Sequence, residues 1–125
     1  MTMKNLTPIS KITLGKTGEE KAVEYLISKG YEILHRNFRC KLGEIDIVAR
    51  EIKGRSIVFF EVKTRRNCAF GLPCESITAS KLQKIKKITR VYLMMNGLKD
   101  ENLRIDVIEI LIIDGKSYIR HLENV

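Results

Sequence analysis

At the centre of the chain stands Gly43-Glu44-Ile45-Asp46-Ile47-Val48-Ala49, followed after a short polar segment by Ile57-Val58-Phe59-Phe60-Glu61-Val62-Lys63. Both runs are apolar and rich in strand-forming residues, yet each carries carboxylates in its middle. Burial of a carboxylate inside an apolar strand is costly unless a cation compensates for its charge. A divalent metal ion is the obvious candidate, and a metal held by strand carboxylates in a basic protein indicates phosphodiester chemistry.

The two runs are predicted to form a hairpin, because Lys53-Gly54 between them is a tight-turn signal. If the turn has two residues, Asp46 lies directly opposite Glu61, and Glu44 lies opposite Lys63. Opposed residues of a hairpin have Cβ atoms about 5 Å apart, a distance at which two carboxylates can hold one metal ion. A slip of one residue would send them to opposite faces, so the register tests the prediction.

Carboxylates in this arrangement suit Mg²⁺ or Mn²⁺, because such ions prefer oxygen ligands and Mg²⁺ keeps several waters. Asp46 and Glu61 would leave positions for a phosphate oxygen and a water, which the metal acidifies. Lys63 shares a face with Glu61 and would hold that water or neutralise the charge that develops at phosphorus.

The alternative is that the acids form ordinary ion pairs on the solvated face of a hairpin. Glu44 would then pair with Lys63, and Asp46 with Arg39 or Arg65. Two observations favour a metal site: four ionisable residues share one face of otherwise apolar strands, and the Asp-x14-Glu-x-Lys spacing spans one hairpin.

Composition restricts the class of partner. The 125 residues include 23 Lys plus Arg against 15 Asp plus Glu, a net charge of +8 that favours a polyanion, either nucleic acid or an acidic membrane surface. Apolar runs fall short of the roughly 20 residues that span a bilayer. Because residues 1–13 lack the apolar centre of a signal peptide, we expect a cytoplasmic protein without a membrane anchor. Zinc at His35, Cys40, Cys68 and Cys74 is disfavoured, since the spacings match no common zinc pattern.

Apolar periodicity predicts a single α/β (α+β) domain over residues 14–125, preceded by a loose tail over residues 1–13. Its element order is α-β-β-β-α-β-β, with a mixed central sheet flanked by helices. The first helix is expected over 15–29, and the second from a cap at Ser76 or Thr78 to Asn96-Gly97. The strands are expected over 31–39, 44–49, 56–63, 103–113 and 118–122.

Asp46 followed by Glu61-Val62-Lys63 resembles the PD-(D/E)XK nuclease superfamily. The closest match is its branch of YraN-like proteins, predicted endonucleases related to Holliday-junction resolvases. The matching motifs cover about residues 14–113: Gly15-Lys16-Thr17-Gly18-Glu19 with Ala22, Gly43 to Asp46, Glu61 to Arg65, Gly71, Pro73, Glu75, Ile77 and Lys81, and Arg104 to Val107. Ile45 departs from the superfamily pattern, which has proline there. The resemblance implies a restriction-endonuclease-like αβββαβ core with a C-terminal hairpin strand.

By this resemblance, Asp46 and Glu61 would be metal ligands, the Val62 carbonyl a third ligand, and Lys63 the catalytic lysine. Glu19, on the first helix, matches the glutamate that related resolvases bring to the metal, in some cases through water. The resemblance therefore implies a hydrolase with Mg²⁺ or Mn²⁺ as its cofactor.

Basic residues flank these acids along the chain. The candidates for contacts with DNA phosphates are Arg36, Arg39, Arg65, Lys81 and Lys84. A solvated helix face is the alternative reading for the lysines of the second helix. DNA is favoured over RNA as the partner, and resolvase-like action on two strands would favour a homodimer.

The leading hypothesis is therefore a metal-dependent endonuclease acting on DNA, with branched or otherwise structured DNA among its candidate substrates. A second hypothesis is a nucleic-acid-binding module of the same fold that does not cut. A third is a basic interaction protein whose acids form structural ion pairs.

Overall fold

A mixed six-stranded sheet with a helix on each face forms the described part of the protein, residues 6–10, 17–66, 77–99 and 103–125 of a computed structural model. The elements in chain order are β1 (Leu6–Ile9), α1 (Gly18–Ser28), β2 (Tyr31–Cys40), β3 (Gly43–Glu51), β4 (Ile57–Arg66), α2 (Ala79–Met95), β5 (Leu103–Ile113) and β6 (Lys116–Leu122).

Neighbouring strands follow the order β1-β6-β5-β4-β3-β2, and all pairs are antiparallel except β4 with β5. That parallel pair is joined through α2, because parallel strands require a long crossover. The αβββαβ core expected for a restriction-endonuclease-like fold is confirmed, with β6 as the C-terminal hairpin strand. Neither described helix is long and apolar enough to cross a membrane.

The N-terminal segment differs from the loose tail that we expected. Leu6–Ile9 forms β1, which pairs antiparallel with β6 at the edge of the sheet. Pro8 is compatible with this position, since an edge strand need not donate every ladder hydrogen bond. The predicted loop over residues 67–75 lies outside the described residues.

The helix starts are fixed by threonine caps. Thr17 Oγ1 accepts a hydrogen bond from the Glu20 N–H at 3.2 Å, and Thr78 Oγ1 accepts one from the Lys81 N–H at 3.1 Å. Of the two caps considered for the second helix, Thr78 is therefore the one observed. A Cβ on Gly18 would lie 2.2 Å from Thr64 Oγ1, so glycine allows the first turn of α1 to pack closely against β4.

Each helix buries one face of the sheet. Ala22 and Leu26 of α1 pack in a cluster with Phe60, and Ile88 and Tyr92 of α2 pack in another on the opposite face. Because both faces are covered, the central strands read as nearly continuous apolar runs.

The β3–β4 hairpin has the predicted register but a different turn. Ladder pairs run from Ile47–Phe60 to Arg50–Ile57, as expected. The turn contains four residues, since the Glu51 N–H donates to the Ser56 carbonyl at 2.9 Å. The predicted two-residue turn is therefore wrong. A two-residue turn and a four-residue turn with the same centre give the same pairing of β3 with β4.

The role assigned to Gly54 also changes. Positive φ occurs at Arg55 (59°), not at Gly54. A Cβ at Gly54 would lie 2.3 Å from Glu51 Oε1, so the glycine relieves a close approach and does not supply an unusual backbone angle.

Strand alternation is interrupted near the middle of β3. Ile45 and Val48 pack in the α2-side cluster, whereas Ile47 packs in the α1-side cluster. On the neighbouring strand β2, Asn37 adopts a left-handed φ of 55° at the same level. Asp46 lies at this break, and the β3–β4 ladder pairs also end beside it, so its side chain is placed where the two strands separate.

Candidate functional site

Asp46 lies half-buried at the point where β3 and β4 separate. Its Oδ2 accepts a hydrogen bond from the Val62 N–H at 2.7 Å. The pKa of Asp46 is raised to about 6, mainly by burial and in addition by the carboxylates of Glu61, Glu19 and Glu44, against the lowering effect of that hydrogen bond. Four carboxylates from α1, β3 and β4 thus converge closely enough to repel one another, which is an environment that favours a bound cation.

Glu61 already has a cation against its carboxylate. Lys81 Nζ lies 2.7 Å from Glu61 Oε1, and the Glu61 side chain is only 17% exposed. Lys81 reaches this position because the Thr78 cap starts α2 three residues earlier. The Lys81 ammonium group therefore lies where a positive charge offsets the negative charges of the neighbouring carboxylates.

A cavity of 320 Å³ joins the two carboxylates to the helix. Its lining consists of acids from β3 and β4, lysines and isoleucines from α2, and one glycine: Gly43, Glu44, Asp46, Glu61, Lys81, Lys84, Ile85 and Ile88. A Cβ on Gly43 would lie 3.3 Å from Lys84 Cε, so the absence of a side chain lets Lys84 lie against the cavity wall. Carboxylates on one side and ammonium groups on the other form an arrangement that suits a metal ion with a phosphate beside it.

Glu19 approaches from the other face of the sheet. Its carboxylate accepts hydrogen bonds from Arg36 Nε at 3.1 Å and from Asn37 Nδ2 at 3.2 Å. It is close enough to Asp46 to raise the pKa of that carboxyl, but it does not line the cavity. Arg36, predicted to contact DNA, is therefore also a partner of Glu19.

The ion pairs of the alternative reading are not the ones observed. Glu44 pairs with Arg39, at 3.0 Å from its Nε, and not with Lys63. Within the described ranges, neither Asp46 nor Lys63 forms an ion pair, so the alternative pairing of Asp46 with Arg39 or Arg65 is not observed. Asp46 and Lys63, both predicted to act in the site, thus have no neutralising ion-pair partner among the described residues.

The donor set fits Mg²⁺ or Mn²⁺. Asp46, Glu61 and Glu19 offer only carboxylate oxygens, which these hard cations prefer. The Val62 carbonyl stays a predicted third ligand; its residue is tied to the site through the hydrogen bond from its N–H to Asp46. Lys63 follows on the same strand and is half-buried.

A second group of possible metal ligands was not found by sequence reasoning. Asp106, His121 and Glu123 offer ligand atoms that all lie within 4.8 Å of one another. The fully buried Asp106 already accepts two hydrogen bonds from Arg104, at 3.0 and 2.9 Å, and one from the Asn124 N–H at 2.9 Å. A metal ion would have to compete with the guanidinium, so we interpret this group as an ion cluster completed by Arg104.

The charge state of this cluster follows from those contacts. Burial alone would raise the pKa of Asp106. Hydrogen bonds from His121, Arg104 and Asn124 nevertheless hold this pKa below its ordinary value. The sequence signal was the spacing of Arg104 and Asp106, two residues apart and hence on one face of a strand. Their partner His121 lies on a different strand, and no local pattern identifies it.

Comparison with known proteins gives a family match. The model of the uncharacterised protein family UPF0102 matches residues 18–110. A UPF0102 protein of Caldicellulosiruptor saccharolyticus is 52% identical over 102 residues, which are 82% of this chain and 85% of that protein. Another from Alkaliphilus oremlandii is 49% identical over 113 residues, covering 89% and 95% of the two chains.

Among solved structures, the one described as "Structure of EndoMS-dsDNA2 complex" is similar to 78% of this chain, at 17% identity and a TM-score of 0.44. This chain spans 38% of that chain.

Proposed function

The chain belongs to the uncharacterised protein family UPF0102, and we propose that it is a metal-dependent endonuclease that hydrolyses phosphodiester bonds in DNA. The single observation that carries the proposal is the pair of carboxylates, Asp46 and Glu61, on one cavity with Lys81 at 2.7 Å from Glu61. Membership of the PD-(D/E)XK superfamily, close to the YraN-like proteins, is part of the same proposal and is supported by the Asp46, Glu61 and Lys63 motif.

In this proposal Asp46 and Glu61 would hold Mg²⁺ or Mn²⁺, with the Val62 carbonyl as a further ligand and Glu19 reaching the metal through a water. When bound, the metal would polarise the phosphate and acidify the attacking water. Asp46 is held by the Val62 N–H and lines the cavity. Lys63 is proposed to neutralise negative charge at phosphorus, since it is not engaged in an ion pair within the described part of the chain.

Lys81 is proposed to exchange partners. The Lys81 side chain is 44% exposed, and its ammonium group lies against Glu61. A metal ion on Glu61 would repel this ammonium group, and a phosphate beside the metal would accept its hydrogen bonds instead. Lys84, on the next turn of α2 and on the same cavity, would add a second contact to the DNA backbone.

Other basic residues extend the proposed DNA surface along β2 and β4. Arg39 is the most exposed of them, with 77% of its side chain accessible, and its bond to Glu44 is on the surface. Arg36 lies beside Glu19, and Arg65 lies half-buried near the end of β4. Contacts of this kind read no sequence, so we propose that recognition depends on the shape of the DNA, with branched or structured DNA as candidate substrates.

The test is nicking of supercoiled plasmid DNA by the purified protein with Mg²⁺ or Mn²⁺. Asp46→Asn should abolish nicking, because it removes a charged ligand and keeps the side-chain shape. Asp114→Asn, the same chemical change in the β5–β6 turn, should leave nicking intact. Cleavage that survives Asp46→Asn would show that another site does the chemistry.

The second candidate is a DNA-binding module without cleavage activity. The Lys81–Glu61 contact favours it, because a permanent ion pair there would leave one carboxylate unavailable to a metal. This candidate predicts salt-sensitive DNA binding that Mg²⁺ and Mn²⁺ do not change, with no cleavage of linear, supercoiled or branched DNA. In either case we propose action in the cytoplasm by a single nuclease-like domain over residues 14–125, working as a homodimer if two strands are cut together.

A further inference from the structure

A second and larger cavity, of 500 Å³, opens at the other end of the sheet. Its lining includes Tyr25 and Lys29 of α1, Tyr31, Lys53 and His121. Glu51, on the same wall, follows Asp46 by five residues on β3, which places the cavity about 17 Å from the carboxylate site. Its volume lies within the range of cavities that hold small molecules.

Three aromatic rings in the wall are held by hydrogen bonds at their polar ends. His121 Nε2 lies 2.7 Å from Asp106 Oδ2 and carries the proton, because a carboxylate only accepts. His121 Nδ1 then accepts from the Tyr25 hydroxyl at 3.3 Å. The Tyr31 hydroxyl accepts from Arg104 Nη2 at 2.6 Å. The rings are therefore fixed before any ligand arrives.

These contacts are more than packing requires. A buried cluster of Arg104 and Asp106 adds little net stability compared with apolar side chains of similar size. What it does provide is rigid orientation of the Tyr31 and His121 rings, whose centroids lie 6.2 Å apart, beside an open cavity. Ring positions set in advance lower the entropic cost of binding a flat ligand.

A catalytic role for the chain of Asp106, His121 and Tyr25 is disfavoured. The Asp106 charge is already neutralised by Arg104, so it would stabilise an imidazolium poorly. Burial raises the pKa of the Tyr25 hydroxyl, which makes it a weak nucleophile. The geometry is that of a binding site.

The charges left open at the mouth are positive. Lys29 and Lys53 are exposed, and within the described residues neither forms an ion pair; Lys29 Nζ lies 5.8 Å from the centroid of the Tyr25 ring. The acids of the wall are engaged, Glu51 at 3.2 Å and Glu123 at 4.0 Å from Arg104. Two ammonium groups that have no acidic partner among the described residues, beside the held Tyr25 ring, match a ligand with a flat ring and a phosphate.

We propose that this cavity binds a nucleotide, with the base beside the Tyr25 ring and the phosphate between Lys29 and Lys53. Stacking on aromatic side chains beside basic residues is the usual way in which proteins hold unpaired bases. The nucleotide is either free or the last residue of an unpaired DNA strand. The strand-end form rests on the proposed endonuclease function, whereas binding of a free nucleotide does not. A strand end bound in this cavity would anchor structured DNA about 17 Å from the cut.

The test is a titration of the ¹⁵N-labelled full chain, followed by amide NMR shifts, with two probes. One probe is deoxyadenosine monophosphate, and the other is a DNA duplex with a three-nucleotide overhang, compared with the same duplex made blunt. Shifts at the amides of Lys29, Gly30, Ile52 and Lys53 are expected with the monophosphate if the ligand is free, and only with the overhang if it is a strand end. Absence of these shifts with both probes overturns the proposal.

Paired variants separate a site from general attraction to positive charge. The double variant Lys29→Ala and Lys53→Ala should weaken binding of the responding probe by about five- to tenfold, because two charge contacts are lost. A matched double variant of exposed lysines on α2, Lys86→Ala and Lys87→Ala, should not change it. Equal weakening by both pairs would show attraction by overall charge and would refute a site.

The outcome is distinguishable from that of the proposed cleavage activity. Plasmid nicking is measured on the Lys29→Ala and Lys53→Ala variant, which leaves the carboxylate site unchanged. Nicking that depends on Asp46, together with no nucleotide response, rejects only the second site. A nucleotide response in a protein that cuts no DNA rejects only the endonuclease.

Discussion

One consequence of the carboxylate site is that the Asp46 carboxylate, a proposed metal ligand, destabilises the fold when no metal ion is bound. Asp46 has its pKa raised from 3.8 to about 6, mainly by burial and then by neighbouring carboxylates. Its unfolded form ionises at the lower value, so the folded protein binds the proton more tightly. Stability contributed by this group is therefore full at acidic pH and is lost as the pH rises from about 4 to about 6.

The substitution that tests this is Asp46→Asn. The amide keeps the shape, and its oxygen can still accept the hydrogen bond from the Val62 N–H, but it cannot ionise. The full pKa rise corresponds to about 3 kcal/mol at neutral pH. Since Asp46 is only half-buried, solvent screening reduces this, and we expect Asn to stabilise the metal-free protein by about 1–2 kcal/mol at about pH 7.5.

The assay is urea unfolding in EDTA across the range of about pH 4 to 7.5, with Asp114→Asn as the matched control. The gain from Asp46→Asn should shrink toward zero at the acidic end, whereas the control should show no such trend. Added Mn²⁺ should then reverse the order, because it stabilises only the protein that retains the carboxylate. A variant that is less stable than the parent at about pH 7.5 in EDTA, or a gap that does not vary with pH, would refute the reasoning.

Three further predictions concern packing, the ion cluster and the DNA surface. Arg104→Ala should destabilise the fold by about 3–5 kcal/mol in urea unfolding, because Asp106 is left buried without its cation; a loss below about 1 kcal/mol would argue against a buried pair. Gly18→Ala should cost about 1–3 kcal/mol in urea unfolding, since its Cβ would lie 2.2 Å from Thr64 Oγ1, and an unchanged stability would show that this close approach is not a constraint. Arg39→Ala should lower the slope of log affinity for DNA against log salt by about 1, and an unchanged slope would remove it from the interface.

The part of the site on the hairpin was predictable because one parity argument determines it. Any turn of even length centred between Lys53 and Gly54 places Asp46 on the level of Glu61, so a four-residue turn in place of the predicted two left the register unchanged. The break in alternation at Asp46 was not predictable, since a single Asn inside a strand does not by itself indicate the left-handed φ that Asn37 adopts beside it.

The other features that the sequence did not predict depend on contacts between segments that are distant along the chain. The pairing of Lys81 with Glu61 depends on where α2 packs on the sheet. The apolar periodicity of α2 indicates which face of the helix is buried, but not this position. The pairing of His121 with Asp106 requires β6 to lie beside β5 in one register. The short edge strand at Leu6–Ile9 has no apolar period that would distinguish it from a tail.

The central claim is that Asp46 and Glu61 share one divalent metal ion. It is tested most directly by anomalous diffraction from crystals of the protein soaked in Mn²⁺. We expect one strong peak between the carboxylates of Asp46 and Glu61, with Lys81 displaced from Glu61. A peak at Asp106, His121 and Glu123 instead, or no peak beside Asp46, would contradict it.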